Sequence, residues 1–242
     1  FLAIKHYAHK CSRVLSGDRW AISGDAGVFI DPLYSPGSDF IAIQNTFITD
    51  IITRDLTGQR FIGRCEAYND IYQEISESFL KTFLGQYPVF GNPRIMPLKV
   101  IWDYTIYWGF LAFVAIQRRF CDLKSLKVIQ EAVMKIYSRG EEMQVILRES
   151  NERFHPPVTS EMLDIAHISF LFALNRRMAT PLNDNDFLSA LHDNIEVIEE
   201  AFQKIKMIAE SSTPMWNTAA ELVGLLRNIG EQNILQDTRA AA

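Results

Sequence analysis

From Ser38 onward the apolar positions Phe40, Ile41, Phe47, Ile48, Ile51 and Ile52 recur at three- and four-residue spacing, which predicts an amphipathic helix. It is expected to end near Thr57-Gly58, where glycine supplies a stop. Before it the pattern is different. Residues 1 to about 30 read as extended structure, and the stretch RVLSGDRWAIS sets the turn signature Ser16-Gly17-Asp18 between short strand-like runs. After it the chain is nearly all helical in period. One helix is predicted from about Glu66 to Leu84, with Tyr68, Ile71, Tyr72, Ile75, Phe79 and Phe83 on one face. GQYPVFGNPRIMP breaks the pattern, and an aromatic helix comes next from Leu98 to Phe120, then another from Leu123 to about Leu147. In RFHPPVTSEM, Pro156 and Pro157 end the preceding helical run and Thr159 or Ser160 caps the next helix. The last helices are predicted over Glu161 to Met178, Asp184 to Glu210 and Pro214 to Leu235, with QDTRAAA as a frayed end. No repeat period or low-complexity segment is present. The expected fold is mainly α with a small α/β part, divided into a domain over residues 1–60 and a helical domain over residues 61–242.

Composition narrows the function without choosing it. A chain of 242 residues can be one large domain or two modest ones. A net charge of −5 with no dominant basic run argues against nucleic acid as a partner. Three widely spaced cysteines, Cys11, Cys65 and Cys121, without a CxxC pair suit free thiols in a reducing compartment. The most apolar run, Val100 to Ile116, falls short of the roughly 20 residues that span a bilayer and contains Asp103, so a buried helix is expected there rather than membrane association. The chain starts FLAIKHYAHK, with no initiator methionine and no leader pattern. This reads as an N-terminally truncated, cytoplasmic protein. The five histidines suggest no metal site: His6 and His9 would point to opposite faces of a strand, His155 lies in the proline-rich linker, and His167 and His192 stand alone on helices. Glu199, Glu200 and Lys204 read as a solvated helix face.

The chemistry concentrates in AISGDAGVFIDPLYSPGSDFIAI, residues 21–43. Asp25 follows Gly24 after an apolar run. A carboxylate at the carboxyl edge of a sheet is placed to accept hydrogen bonds from ligand hydroxyls. Ser35 is a candidate N-cap with Pro36 at the first helical position, leaving the amides of Gly37 and Ser38 directed outward at a positive helix end. An anion or electron-rich carbonyl suits such an end. The alternative is a plain strand–turn–helix junction with ordinary capping.

The stretch RWAISGDAGVFIDPLYSPGSDFIAI resembles the second flavin-binding motif of FAD-dependent oxidoreductases of the aromatic hydroxylase superfamily, and is most similar to its flavin-dependent halogenase branch. The pattern there reads approximately W-x-L-x-G-D-A-A-x-F-x-D-P-x-x-S-x-G, and Trp20, Gly24, Asp25, Ala26, Phe29, Asp31, Pro32, Ser35 and Gly37 fall in register. The resemblance implies that this part is the C-terminal remnant of a two-domain FAD-binding fold of the glutathione-reductase type. It implies that Gly24, Asp25 and Ala26 belong to the cofactor site with Asp25 holding ribityl hydroxyls of FAD, that Pro32 lies by the isoalloxazine ring, and that the Gly37 and Ser38 amides face its N1–C2 carbonyl edge. It further implies that the complete enzyme forms a flavin C4a-hydroperoxide and hydroxylates, or through hypohalous acid halogenates, an aromatic or unsaturated small molecule. A flavin reductase is then an expected partner, as is the missing N-terminal half of the same enzyme.

Two departures bear on this. The G-x-G-x-x-G that opens the superfamily's fold and cradles the pyrophosphate is absent from the twelve glycines, so the chain alone is expected to be inactive and not to retain FAD. The family's catalytic lysine would lie in the missing part. Tryptophan-type halogenases carry a Glu near the position of Tyr34 and hold chloride with amides near Pro36 and Gly37; Pro36 has no N–H to give. In the helical remainder, KVIWDYTIYWGFLAF offers Asp103, Tyr104, Tyr107 and Trp108, with Tyr34 from the motif, as candidates for a substrate-pocket wall. The alternative is a buried aromatic helix with Asp103 paired to Lys99 or Arg118. Two other functions fit the same features: a flavin-dependent reductase of isoprenoid double bonds, and a non-catalytic helical binding module that keeps a decayed flavin site.

Overall fold

The computed structural model describes residues 7–153, 162–213 and 215–235, with the side chain of Leu123 left aside. The expected cap at Thr159 or Ser160, the start of a helix at Glu161, the proline pair, Pro214, His6, His155 and all of QDTRAAA lie outside the described residues. The fold is mainly α, as the periodicity predicts. Two compact units divide it, Phe1–Leu84 and Gly85–Ala242. That division falls one helix beyond the 60/61 boundary expected from sequence, because the helix after residue 60 packs on the one before it.

In the first unit β1 (His9–Lys10) pairs antiparallel with β4 (Val28–Phe29), and β2 (Leu15–Ser16) with β3 (Trp20–Ala21). The ladders are two residues long because a side chain takes over where they stop. Asn69 accepts from the Val14 and Leu15 amides at 2.8 and 3.1 Å and donates to the Leu15 carbonyl at 2.8 Å, satisfying backbone groups that a third strand would otherwise have to meet. Asn69 lies on α2 (Ile62–Phe83), the next helix after α1 (Pro36–Leu56). Helix α1 starts at its proline and stops before Gly58, whose φ of +70° is easy for glycine alone. Its buried stripe is Phe40, Ile43, Gln44, Phe47 and Ile51; Ile41 and Ile52, expected on the same face, are exposed. Phe47 stacks on Tyr68 with centroids 4.3 Å apart, and Phe40 meets Tyr72 edge-on. Asp50 joins the two helices, accepting from Arg54 at 2.8 Å and from the Tyr68 hydroxyl at 2.7 Å.

The second unit holds α3 (Met96–Ile106), a π-helical turn (Tyr107–Leu111), α4 (Ala112–Ile116), α5 (Leu123–Arg153), α6 (Ser169–Met178), α7 (Asp184–Glu210) and α8 (Ala219–Leu225). Its core is aromatic: Trp102 meets Phe202 edge-on and Phe113 stacks on Phe187 at 5.3 Å. The single aromatic helix expected over Leu98 to Phe120 is interrupted. Asn194, wholly buried, donates to the Gly109 carbonyl at 2.9 Å, and a Cβ on Gly109 would lie 3.2 Å from Ile198 Cδ1. The turn thus widens where a glycine lets α7 approach and where a side chain donates to the freed carbonyl. The run Met96–Ile116 reaches 21 residues with mean hydropathy 1.2, so by length and composition it could cross a membrane. Half of it is buried within the protein, as in a core helix.

Two further expectations are corrected. The helix predicted over Pro214 to Leu235 is the seven-residue α8 with turns beyond it; Thr218 and Glu221 close a capping box at its start, and Gly230 at φ +71° helps to turn the chain past its end. The face bearing Glu199, Glu200 and Lys204 is solvated in part, Glu200 being exposed, and also carries packing contacts. Arg139 of α5 forks onto Glu199 at 2.8 and 3.0 Å, Lys206 reaches Glu142 at 2.7 Å, and Glu200 accepts the Gly230 amide at 2.7 Å.

Candidate functional site

The chain after β3 does not continue as sheet. Gly24–Ala26 form a 3-10 turn in which Gly24 takes φ +67°, and the Gly27 amide closes on the Gly24 carbonyl at 2.9 Å. Asp25 therefore sits on a tight turn past the end of β3 rather than at the carboxyl edge of the sheet itself. Three residues that the motif does not single out hold this turn. Gln44, buried on α1, accepts the Gly24 amide at 2.8 Å. His9 brings Nε2 to 2.7 Å from the Asp25 carbonyl oxygen. Cys11 donates its amide to the Gly27 carbonyl at 2.8 Å and its thiol to the Ala26 carbonyl at 3.4 Å. One signal for Gln44 was available: a polar residue among Phe40, Ile43 and Phe47 on a buried face needs a partner. Nothing local marks His9 or Cys11.

The turn delivers its carboxylate to a helix start. A Cβ built on Gly37 would stand 3.6 Å from Asp25 Oδ1, so Asp25 and Gly37, twelve positions apart in sequence, are neighbours. Asp25 is exposed, and among the described residues no group donates to its carboxylate. A charge so placed complements the positive end of α1, a contribution of about 0.3–1 kcal/mol.

Two expectations about this helix start are corrected. Ser35 holds the N-cap position, but its φ of 56° is left-handed and its hydroxyl makes no capping bond. Tyr34 and Ser35 both lie at positive φ, and this pair of left-handed residues reverses the chain into Pro36 where an extended cap would not. The Ser38 amide is not directed outward: it donates to the Ser35 carbonyl at 3.2 Å. The Gly37 amide meets no carbonyl among the described residues. One donor therefore stands at this end where two were expected. Pro32 is exposed between the Asp31 carboxylate, which accepts the Leu33 amide at 2.8 Å, and the reversed pair. Tyr34 is half-buried, its ring 6.1 Å from that of Phe83.

The other pocket candidates belong to the second unit. Asp103 is paired, taking the alternative that the sequence left open. Lys99, wholly buried, places Nζ 2.8 Å from Asp103 Oδ2 and 2.9 Å from Gln144 Oε1. Gln144 closes the ring by donating to Asp103 Oδ1 at 3.0 Å. Burial pushes the Lys99 ammonium below its ordinary range, against the opposing pull of Asp103. Tyr104 and Trp108 pack ring to ring at 4.6 Å, half-buried, and Tyr107 opens the π turn. Among the described residues no group of His, Cys, Asp and Glu is arranged to hold a metal ion.

No family model and no solved structure matches the chain. Over 109 residues it is 25% identical to the flavin-dependent halogenase chlA of Dictyostelium discoideum, a match covering 43% of this chain and 18% of that protein. The chain thus spans less than a fifth of the length of the relative it matches, and it is similar to a flavin-dependent halogenase.

Proposed function

We propose that this chain is the C-terminal portion of an FAD-dependent oxidoreductase of the monooxygenase and halogenase type, acting on an aromatic or unsaturated small molecule. The observation that carries the reading is the exposed Asp25 carboxylate beside Gly37 at the start of α1. The in-register motif from Trp20 to Gly37 and the likeness to a halogenase support it. FAD suits these groups: Asp25 accepts from ribityl hydroxyls, and the Gly37 amide with the positive end of α1 favours negative charge on the ring's carbonyl edge. When bound, the flavin supplies the redox chemistry that no side chain can. The chain's own part is to orient that ring: Gln44, His9 and Cys11 fix the Asp25 turn, Pro32 lines the ring, and Tyr34 borders the substrate. The pyrophosphate cradle belongs to an upstream part of the enzyme.

Within this reading hydroxylation is favoured over halogenation. Pro36 has no amide hydrogen and the Ser38 amide is already engaged, which leaves one donor where a halide needs more. The test has two arms. Protein isolated from its source should carry flavin absorbance and a mass well above that of this chain. In the chain itself, titration with riboflavin followed by amide NMR should shift Gly24, Asp25, Ala26 and Gly37, and Asp25→Asn should weaken those shifts several-fold. A source protein of this chain's mass without flavin, together with no riboflavin shifts, would favour the binding-module reading instead.

A further inference from the structure

His9 stands with both ring nitrogens on oxygen: Nδ1 lies 2.9 Å from the Tyr7 carbonyl and Nε2 2.7 Å from the Asp25 carbonyl. Carbonyl oxygens only accept. A neutral imidazole carries one N–H and an imidazolium carries two, so the neutral ring satisfies one of these contacts and turns a lone pair on the other oxygen. Only the protonated ring satisfies both. One of the two carbonyls belongs to His9's own strand segment and the other to the turn that presents Asp25.

We infer that His9 is a proton-operated clamp on the Asp25 turn, closing it when the ring is protonated and releasing one contact when the proton leaves. The ring is exposed, so protons reach it without any opening of the fold. The remaining bonds to the turn, from Gln44 and Cys11, involve no group that changes charge in the same step. Among the described residues, few ionisable groups lie on elements packed against β1. Asp25 is on the turn itself and Asp31 lies past β4. The Cys11 thiol is already donating to Ala26, and Lys10 and Glu77 are paired with each other. The Tyr7 ring meets His9 edge-on at 5.7 Å. As regulation of the flavin site, the inference rests on the proposed flavin function: a closed turn holds Asp25 where ribityl hydroxyls meet it, and flavin is held more tightly on the acid side of the His9 titration.

The clamp can be tested without any flavin. Ring-nitrogen signals of His9 and backbone amides of Gly24 to Gly27 are followed across pH in the full chain. One shared midpoint is expected. In H9Q, whose neutral amide can still donate to the Asp25 carbonyl, the turn amides should stop titrating; in H192Q, which alters an exposed histidine of α7, they should titrate as before. Turn amides that stay still while His9 titrates, or that keep titrating in H9Q, overturn the clamp. Riboflavin is then added. Its affinity should fall roughly threefold to tenfold from the acid to the alkaline side, the worth of about one such hydrogen bond, and should be flat in H9Q. Riboflavin that binds nowhere in the pH range, together with a source protein free of flavin, removes the flavin reading, and the clamp stands if the turn still titrates with His9. Riboflavin that binds with the same affinity at every pH overturns the regulation and leaves the flavin reading.

Discussion

Replacing Lys99 by methionine tests the buried polar ring of the second unit. The ammonium has no solvent contact and the Asp103 side chain is 8% exposed, so water cannot compensate for either partner. Removing one member of a buried ion pair costs about 3–5 kcal/mol, because the other charge stays buried without its partner. Replacing both charges is different. In K99M/D103L no charge is left behind, and the buried Gln144 amide loses these two partners, which costs about 1–3 kcal/mol. The double variant should therefore be more stable than either single one. In thermal unfolding each single loss corresponds to roughly 6–20 °C at 2–4 °C per kcal/mol.

The pH dependence separates the two single variants. Burial already holds the Lys99 ammonium below its ordinary range, with Asp103 pulling it back up and Arg148 pushing it further down. The folded chain thus binds this proton less tightly than the unfolded chain does, and stability rises with pH between the folded and unfolded values. In D103L the upward pull is gone, so the rise should start at lower pH and the deficit should shrink as alkali neutralises Lys99. In K99M no such recovery is expected. Urea unfolding from neutral to alkaline pH reads both. A K99M variant within about 1 kcal/mol of wild type, or a D103L deficit that ignores pH, would refute the assignment of a charged buried pair.

Asp50 gives the opposite sign. Burial acts to raise its carboxyl, but hydrogen bonds from Arg54 and Tyr68 with the charges of Arg54 and Arg64 outweigh it and hold the group below the usual carboxylate range. Its contribution is present above the unfolded value and disappears as pH falls through the folded one; Asp50→Asn should cost about 1–3 kcal/mol at neutral pH and progressively less in acid, measured by denaturant midpoint. At Gly24, alanine must hold φ +67° and displace Ile41 Cγ1, 3.3 Å from the new Cβ. A loss of about 1–2 kcal/mol is expected, with altered amide shifts at Asp25 and Ala26; an unchanged variant would mean that the turn does not need a left-handed residue.

Helix α1 was legible because its signals are local: proline at the first position and glycine after the last turn. The same holds for α7, where the Asn183 side chain accepts the Asp186 amide at 3.0 Å. The start of α8 carried a local signal too, Thr218 and Glu221 at capping-box spacing, and the apolar pattern from Pro214 onward masked it. The π turn was not legible. It depends on Asn194 reaching Gly109 across 85 positions and on Ile198 filling the space a side chain would need, and neither fact is written near residue 109.

The candidate site divides along the same line. Gly24, Asp25 and Gly37 could be singled out from the chain as candidates because of what each residue is: a glycine free to turn, a carboxylate, and an amide without a side chain above it. What keeps Asp25 beside Gly37 could not. Gln44, His9 and Cys11 act on backbone atoms of the turn from 15 to 20 positions away, and a backbone carbonyl has the same chemistry whatever residue carries it. Motif and scaffold therefore contribute separable things. A substitution at Asp25 should remove the ligand's partner and leave the turn in place, whereas one at Gln44 should leave the carboxylate intact and misplace it. If the turn is only an ordinary capped junction, neither Gln44→Ala nor Asp25→Asn will change riboflavin binding. If it presents a flavin site, both will weaken riboflavin binding, Asp25→Asn by removing an acceptor and Gln44→Ala by freeing the Gly24 amide.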